Sequence, residues 1–326
     1  MPTPLGTEVA PGVLLVDAHY VRPLVAACYV VRGRDSAAVV ETGNAGSVPR
    51  ILGALDEAGI PRAAVSHVIV THVHLDHAGG AGALARALPQ AAVVVHPRGA
   101  RHMIDPAKLW AGTEAVYGVE RTRALYGPPV PIPAERVVEA PDGFSLDLGG
   151  RPLRFLDAPG HAKHHFVVFD EATRGFFTGD VFGLSYRQLD VAGRPFFFPT
   201  TTPVQLDPPA LHATLDRMLE LRPERVYLTH FGMVQGDVAA HAAALRRGLD
   251  EHVARARAAP AGPGRHGALK ASLAEQLARG LDAHGAEMAR ADALAWFDND
   301  LELNAQGLEV WMDAQGAAAR PPVGSG

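Results

Sequence analysis

The sequence predicts an α+β fold of two similar halves followed by a helical tail, and three observations carry that expectation. The chain has 326 residues and is 48 % hydrophobic, enough to bury a large core. Between residues 13 and 77, and again between 140 and 230, paired β-rich runs lead into a helix and then a strand ending in Thr-His. From about residue 236 the pattern is helical. The division this predicts is a main domain over 1–235 and a C-terminal helical extension over 236–326, packed on it.

The first half opens with "VLLVDAHY", "AACYVVRG" and "SAAVVETG", with "RGRDS" as the turn between the last two, which is an antiparallel start. In "SVPRILGALDEAGI", Ile51, Leu52, Leu55 and Ala58 recur at helical spacing, and Gly59 stops the helix. "VSHVIVTH" is a continuous apolar run of the kind found in buried strands; "GGAGALARALP" continues as a helix, and "AAVVVHP" is the next strand. Residues 98–127 read as mostly helical, and the Pro-rich "YGPPVPIPAERVV" crosses to the second half. There "FSLDLGG" and "RPLRFLDAPG" are strands, "HHFVVFDEATRGFFTGD" is a hairpin, and "PALHATLDRMLELRPERVYLTH" is a helix feeding another buried strand.

In the tail, residues 236–257 form an Ala-rich helix with Leu245, Leu249 and Val253 on one face. "AAPAGPGRHG" breaks it, and "ALKASLAEQLARGLDAHG" is another helix. "LAWFDNDLELNAQGLEVWMDA" carries Trp296, Phe297, Leu301, Leu303, Leu308 and Trp311, enough apolar surface to dock, while "AAARPPVGSG" should fray.

Charge and composition narrow the partners. A formal charge of −5 gives no electrostatic reason to bind a polyanion, so nucleic acid is not expected. "MPTPLGTEVAPG" lacks the basic start and apolar core of a secretory signal, and no apolar run approaches the ~20 residues that cross a bilayer. The default is a soluble cytoplasmic protein without a membrane partner. Cys28 is the single cysteine and lies in an apolar strand, so no internal disulfide forms and any metal ligands must be nitrogen and oxygen.

The chemistry concentrates in "IVTHVHLDHAGGAGAL", which places His72, His74, Asp76 and His77 between an apolar strand and two glycines. Alternate residues of an extended segment point the same way, so His72 and His74 can close on one ion. Asp76 and His77 come as the chain turns into the helix and can serve a second ion. Further polar residues end strands elsewhere: His161 in "LDAPGHAKHH", Asp180 in "FFTGD" and His230 in "VYLTHFG". Loops along one rim of a sheet scaffold commonly hold catalytic groups, so these positions can converge.

"THVHLDHAGG", with the later Gly-His, Thr-Gly-Asp and Thr-His, resembles the metallo-β-lactamase superfamily over residues 13 to about 235, and the length and tail are similar to its glyoxalase II-like hydrolases. The resemblance implies a four-layer αββα sandwich with the site at one edge between the sheets. It implies that His72, His74 and His161 hold a first metal, that Asp76, His77 and His230 hold a second, and that Asp180 bridges. Where the family usually shows Asp-Thr-Gly this chain has Glu41-Thr42-Gly43, which puts in doubt any hydrogen bond the shorter carboxylate makes to the metal shell.

The implied cofactors are two divalent ions, with zinc favoured and iron or manganese compatible with the ligand types. Such ions lower the pKa of a shared water towards ~7 and so provide a metal-bridging hydroxide as nucleophile. Asp76, the one carboxylate inside the histidine cluster, is expected to orient it or handle its proton. The expected function is therefore a binuclear metallo-hydrolase acting on a small ester-like substrate, thioester or lactone ahead of phosphodiester. A mononuclear-iron persulfide dioxygenase is the rival, a non-catalytic binding module is disfavoured by the full ligand set, and the tail shows no Arg/Lys set for glutathione. The partner is a small molecule, with a homodimer left open.

Other residues invite weighing. At most one of His164 and His165 can approach the metals, because neighbours on a strand face opposite ways. His96 ends a strand and reads as structural. His19, Tyr20 and Arg22 are candidate substrate contacts in a hairpin, and Phe196, Phe197 and Phe198 are either core or the apolar wall of a pocket. The glycines of "HAGGAGAL" lack the Lys and spacing of a phosphate-binding loop and are better explained by close helix packing.

Overall fold

The computed structural model describes residues 4–201 and 204–318. Among them thirteen strands form two sheets. The first contains, in spatial order, β1 (Gly6–Ala10), β2 (Val13–Asp17), β3 (Ala27–Arg32), β4 (Ala37–Val40), β5 (Val65–Ile69), β6 (Ala92–Val95) and β7 (Val137–Glu139). It is antiparallel from β1 to β4 and parallel from β4 to β7. Its crossovers are helical: α1 (Val48–Glu57), then α2 (Leu75–Ala78) and α3 (Ala81–Ala87), then α4 (Pro97–Ile104), α5 (Ala107–Tyr117) and α6 (Val119–Tyr126).

The second sheet contains β8 (Ser145–Asp147), β9 (Pro152–Asp157), β10 (Phe166–Asp170), β11 (Gly175–Phe177), β12 (Arg225–Leu228) and β13 (Gly232–Gln235), with α7 (Pro208–Glu220) connecting β11 to its parallel neighbour β12. The predicted duplication is visible here. In each half an antiparallel hairpin, β3–β4 or β10–β11, leads through a helix, α1 or α7, to a strand parallel to the hairpin's second member.

Period-two alternation explains why both faces of the second sheet are covered. Phe166 and Val168 on β10, with Phe177 and Tyr227, join the core shared with the first sheet, whereas Val167, Phe169, Phe176 and Val226 pack outward with Leu211 and Leu215 of α7. Tyr29 of β3 meets Phe177 and Tyr227 edge-on, and its hydroxyl donates to the Leu228 carbonyl at 2.5 Å, locking sheet to sheet. Two mixed sheets with helices outside them make the αββα sandwich.

The tail contributes α8 (Val238–Ala258), α9 (Arg265–His284), α10 (Arg290–Trp296) and α11 (Asp298–Ala318). Leu269, Leu273 and Leu277 of α9 and Leu301, Ala305 and Leu308 of α11 are buried in the main core. A buried polar network fixes these helices: His252 Nδ1 lies 2.9 Å from Gln276 Oε1, and Asn304 accepts from the Thr201 amide and donates to the Pro199 carbonyl. None of the described helices is long and apolar enough to cross a membrane. The stretch expected to fray lies, from residue 319 on, outside the described residues.

Some local expectations are corrected. β1, β7 and β13 were not legible; β1 is an edge strand with two of its five residues exposed, β7 has three residues at the end of the Pro-rich crossing, and β13 has four. The segment read as one helix from His77 onward breaks between α2 and α3 at Gly79 and Gly80. β5 ends at Ile69, so His72 and His74 stand on a loop beyond the strand rather than on its last turn. The glycines do serve close packing: a Cβ at Gly80 would lie 2.7 Å from the Thr42 carbonyl oxygen and 2.8 Å from that of Asn44.

Gly80→Ala is expected to force those backbones apart and cost about 2 kcal/mol, in the range of overpacking substitutions. Denaturant unfolding should show a lower midpoint with an unchanged slope; an unchanged midpoint would mean that the loop yields freely.

Candidate metal centre

The seven predicted residues arrive from loops that leave the same ends of the two sheets. The loop after β5 and the short α2 deliver His72, His74, Asp76 and His77; the turn after β9 delivers His161; the turn after β11 delivers Asp180; and the end of β12 delivers His230. The structure brings all seven together. Their ligand atoms fall into two groups, His72, His74, His161 and Asp180 in one and Asp76, His77 and His230 in the other, each with all its atoms within 4.8 Å of one another.

Asp180 joins the groups. Its Oδ2 is 3.2 Å from His161 Nε2, while its Oδ1 is 3.1 Å from His77 Nε2 and 3.4 Å from His230 Nε2. Within the first group His74 Nδ1 is 2.9 Å from His72 Nε2 and 3.2 Å from His161 Nε2. Within the second, Asp76 Oδ2 is 3.4 Å from His230 Nε2 and 3.7 Å from His77 Nε2.

The supporting contacts fix which nitrogens face inward. His230 Nδ1 is 2.9 Å from the Val25 carbonyl oxygen, which only accepts, so Nδ1 carries a proton and Nε2 is the nitrogen that faces the two carboxylates. Thr71 Oγ1 donates to Glu41 Oε1 and lies 3.1 Å from His72 Nδ1. The other Glu41 oxygen is 3.5 Å from His77 Nδ1. The longer carboxylate at the Glu-Thr-Gly position therefore reaches both histidine-bearing groups. Its backbone adopts φ 65°, a left-handed conformation that a non-glycine residue occupies only when its surroundings impose it. Thr42 ties the same corner down by donating from Oγ1 to the His77 carbonyl at 2.7 Å.

These side chains fit a cation. Both ring nitrogens of His77, Asp180 Oδ1 and Glu41 Oε2 are buried without a hydrogen-bond partner among the described residues. Buried polar atoms are ordinarily satisfied, and imidazole nitrogens and carboxylate oxygens that converge while lacking partners are a donor set for a metal.

The electrostatics of the protein alone are lopsided for the same reason. Burial favours a neutral His230, but the Asp180 and Asp76 carboxylates push it up to about 9, and the same carboxylates raise His77 well above its ordinary value. Burial and the surrounding imidazoles hold His72 low; burial and neighbouring His161 and His164 do so for His74. Against a burial effect that would raise it, His77 and His230 hold Asp76 down at about 2. Asp180 is held well below the usual carboxylate range by His77, His161 and His230, again against burial.

The metal groups floor a cavity of about 710 Å³, a size typical of small-molecule sites. His74, Asp76, His161, Asp180 and His230 line it. So do Tyr20 and Arg22, two of the hairpin candidates; His19 instead faces Asp17 at 3.3 Å. His164 reaches the cavity, whereas His165 turns the other way, stacking on His72 at 4.7 Å and accepting from the Asp180 amide at 3.2 Å. His96 is structural: it accepts from the Arg98 amide and pairs with Asp157 at 2.7 Å. Phe196, Phe197 and Phe198 do not line the cavity; Phe198 packs on Phe297 and His252 behind it.

Sequence reasoning missed much of the wall. Tyr117 and Tyr126 come from α5 and α6, and the Tyr20 hydroxyl donates to that of Tyr126 at 2.9 Å. Trp296, Asp300 and Leu303 come from the C-terminal helices. Arg22 lies 3.8 Å over the Trp296 ring, and Tyr186 donates to Asp300, whose carboxyl burial pushes up to about 6. The only sequence signal was the aromatic content of the tail, which reads equally well as a docking face.

Comparison with known proteins agrees with this architecture. The family model described as the metallo-beta-lactamase superfamily matches residues 21–230. A metallo-beta-lactamase fold-containing protein of Sulfurisphaera tokodaii is 27 % identical over 215 residues, covering 65 % of this chain and 75 % of its own. A hydroxyacylglutathione hydrolase of Cupriavidus taiwanensis is 32 % identical over 206 residues, covering 62 % of this chain and 61 % of its own, so the match spans about three fifths of that relative. Among solved structures, a metallo-beta-lactamase family protein from Thermus thermophilus superposes with a TM-score of 0.64 at 22 % identity, covering 95 % of this chain and 96 % of its own.

The raised histidines set a pH dependence for chelator-treated protein. A folded-state value above the unfolded one contributes stability that is complete below the unfolded pKa of ~6.5 and is lost as the pH rises through the folded value. For His230 the window runs from ~6.5 to about 9, with His77 acting in the same direction. The lowered His72 and His74 act the other way near pH ~6.5, where their unfolded forms are still partly protonated, so the window in which the raised pair sets the sign runs from ~7.5 to about 9. Calorimetry of the chelated protein should show Tm falling across this window, and a rising Tm would contradict the assigned contacts.

Proposed function

The chain belongs to the metallo-beta-lactamase superfamily, and from that premise we propose that it is a binuclear metallo-hydrolase acting on small thioesters or lactones. The observation that carries this reading is the Asp180 carboxylate, whose two oxygens face histidines of two different groups. His72, His74 and His161 would hold one ion, Asp76, His77 and His230 the other, and Asp180 both. Five imidazoles and two carboxylates without a thiolate suit zinc, with iron or manganese also compatible; Cys28 is buried in β3 and takes no part. When bound, such ions acidify a water and polarise the oxygen of the group being attacked.

The protein's own residues do the rest. Asp76 is the more exposed carboxylate of the cluster, its side chain 21 % accessible against 7 % for Asp180, and it lines the cavity floor. Held ionised by His77 and His230, it accepts a hydrogen bond from the attacking water and aims that water's oxygen at the acyl carbon. Tyr117, Tyr126, Trp296 and Leu303 offer an apolar wall that seats the acyl body and excludes bulk water. The carbon–sulfur or carbon–oxygen bond then breaks: one proton of the water passes by way of Asp76 to solvent, the other goes to the departing thiolate or alkoxide, and the acyl group is released as the carboxylate. The printed name of the Cupriavidus taiwanensis relative, hydroxyacylglutathione hydrolase, supports hydrolysis of an acyl bond and a glyoxalase II-like chemistry.

The test is a screen of thioesters, lactones and phosphodiesters on metal-quantified protein. Two zinc ions per chain and turnover of a thioester or lactone are expected, with His72→Ala losing at least ~100-fold in kcat/KM while circular dichroism stays unchanged. One iron per chain with oxygen uptake on a persulfide, or a metal-saturated His72→Ala enzyme as active as the parent, would overturn the reading.

A further inference from the structure

The cavity has a charge asymmetry opposite to that of the chain. The sequence carries 30 Lys and Arg against 35 Asp and Glu. Lining the cavity, however, are six of those cations and only three acids, and two of the acids, Asp76 and Asp180, belong to the metal groups. Four of the cations, Arg98, Arg101, Lys108 and Lys163, come from α4, the start of α5 and the turn just after His161.

Several arginines elsewhere meet a carboxylate, and others, such as Arg50 and Arg136, donate to backbone carbonyls at 2.7 and 2.8 Å. Arg151 meets Asp170 at 2.5 Å, Arg217 meets Asp142 at 2.9 Å, and Arg265 meets Asp313 at 2.9 Å. On the cavity wall, among the described residues, no carboxylate lies within ion-pair distance of Arg98, Arg101, Lys108 or Lys163. Arg98 donates only to the Lys163 carbonyl at 3.4 Å, and Arg101 to the His102 ring at 3.3 Å. Arg98 and Arg101 are three residues apart on one helix face, where like charges repel. A wall of unpaired cations beside an apolar chamber costs stability on its own and is relieved by an anion.

We infer that the wall of Arg98, Arg101, Lys108 and Lys163 is an anion-binding subsite, and that the substrate is an amphiphilic ester or thioester with a carboxylate or phosphate on the limb that lies along it. This rests on the hydrolase reading for the ester bond but not for the anion. The apolar limb lies against Tyr117, Tyr126 and Trp296, and the reacting carbonyl lies between the limbs, over Asp76 and Asp180. An uncharged lactone fills only part of this site.

Binding of stable thioethers tests the subsite without turnover. 3-(Hexylthio)propionate and its uncharged counterpart 3-(hexylthio)propionamide are titrated calorimetrically into the metal-loaded full chain at low salt, and into the R98Q/R101Q/K108Q variant. The parent should bind the carboxylate at least about tenfold more tightly than the amide, and that preference should shrink with added salt and fall to about twofold or less in the variant. All three substituted side chains are exposed, and thermal unfolding checks that the variant folds; K163Q supplies a second, single-site test. Equal binding of the two probes by the parent would overturn the inference. A preference fully retained by the variant would do so too, by placing the carboxylate on the metals. If no ester is hydrolysed but the preference is present and lost in the variant, the hydrolase reading fails and the anion subsite stands.

Discussion

A buried carboxylate shared between two sets of imidazoles is the constraint from which the rest of this architecture follows. Asp180 is 6 % exposed and faces His161 with one oxygen and His77 and His230 with the other. A group of this kind is expensive to bury unless charge of the opposite sign meets it. The protein answers that charge only in part: His230 turns its Nδ1 proton to the Val25 carbonyl, and His77 makes no hydrogen bond with either ring nitrogen among the described residues. The remaining demand is for positive charge, and it is concentrated at one point because loops from both sheets end there. The duplicated arrangement of hairpin, helix and parallel strand is what brings those loops to the same edge, and Tyr29, wedged between Phe177 and Tyr227, holds the two sheets in the register that lets them meet.

Much of this was legible in the sequence because it is encoded locally. Helical spacing in "SVPRILGALDEAGI", the continuous apolar strands ahead of each Thr-His, and the repeated order of elements all depend on near neighbours along the chain, and the α+β sandwich follows from them. The seven clustered residues were legible because they sit in short contiguous motifs after strands, "THVHLDHAGG", Gly-His, Thr-Gly-Asp and Thr-His, whose resemblance to the superfamily implied their grouping. Period-two reasoning was less exact at His72 and His74, which lie past the end of β5 on a bent loop, but the two rings still meet, with His72 Nε2 2.9 Å from His74 Nδ1, and give the same pairing.

What stayed hidden depends on contacts between distant segments. Nothing in the spacing of Tyr20, Tyr126 and Trp296 says that they share one chamber, because they come from a hairpin, a crossover helix and the tail. The cationic wall was obscured by the chain's net negative charge, a sum over the whole molecule that conceals a local excess of the other sign. Phe196 to Phe198 stood open in the sequence between core and pocket wall, because three consecutive aromatics fit both; the tail helices pack on them, and Phe198 is 2 % exposed. The Glu41 substitution for the usual aspartate was visible, but its consequence was not, since a longer side chain can either lose or extend a contact. Here it reaches Thr71 and His77 alike.

The central claim is that one carboxylate is shared by two cations. Anomalous diffraction at the zinc edge, from a crystal grown with excess metal, tests it most directly. The account predicts two peaks flanking the Asp180 carboxylate, one within coordination distance of His72, His74 and His161 and the other within reach of Asp76, His77 and His230, at the ~2.0 to 2.2 Å typical of nitrogen and oxygen ligands. A single peak, or two peaks with Asp180 turned away from the space between them, would contradict it.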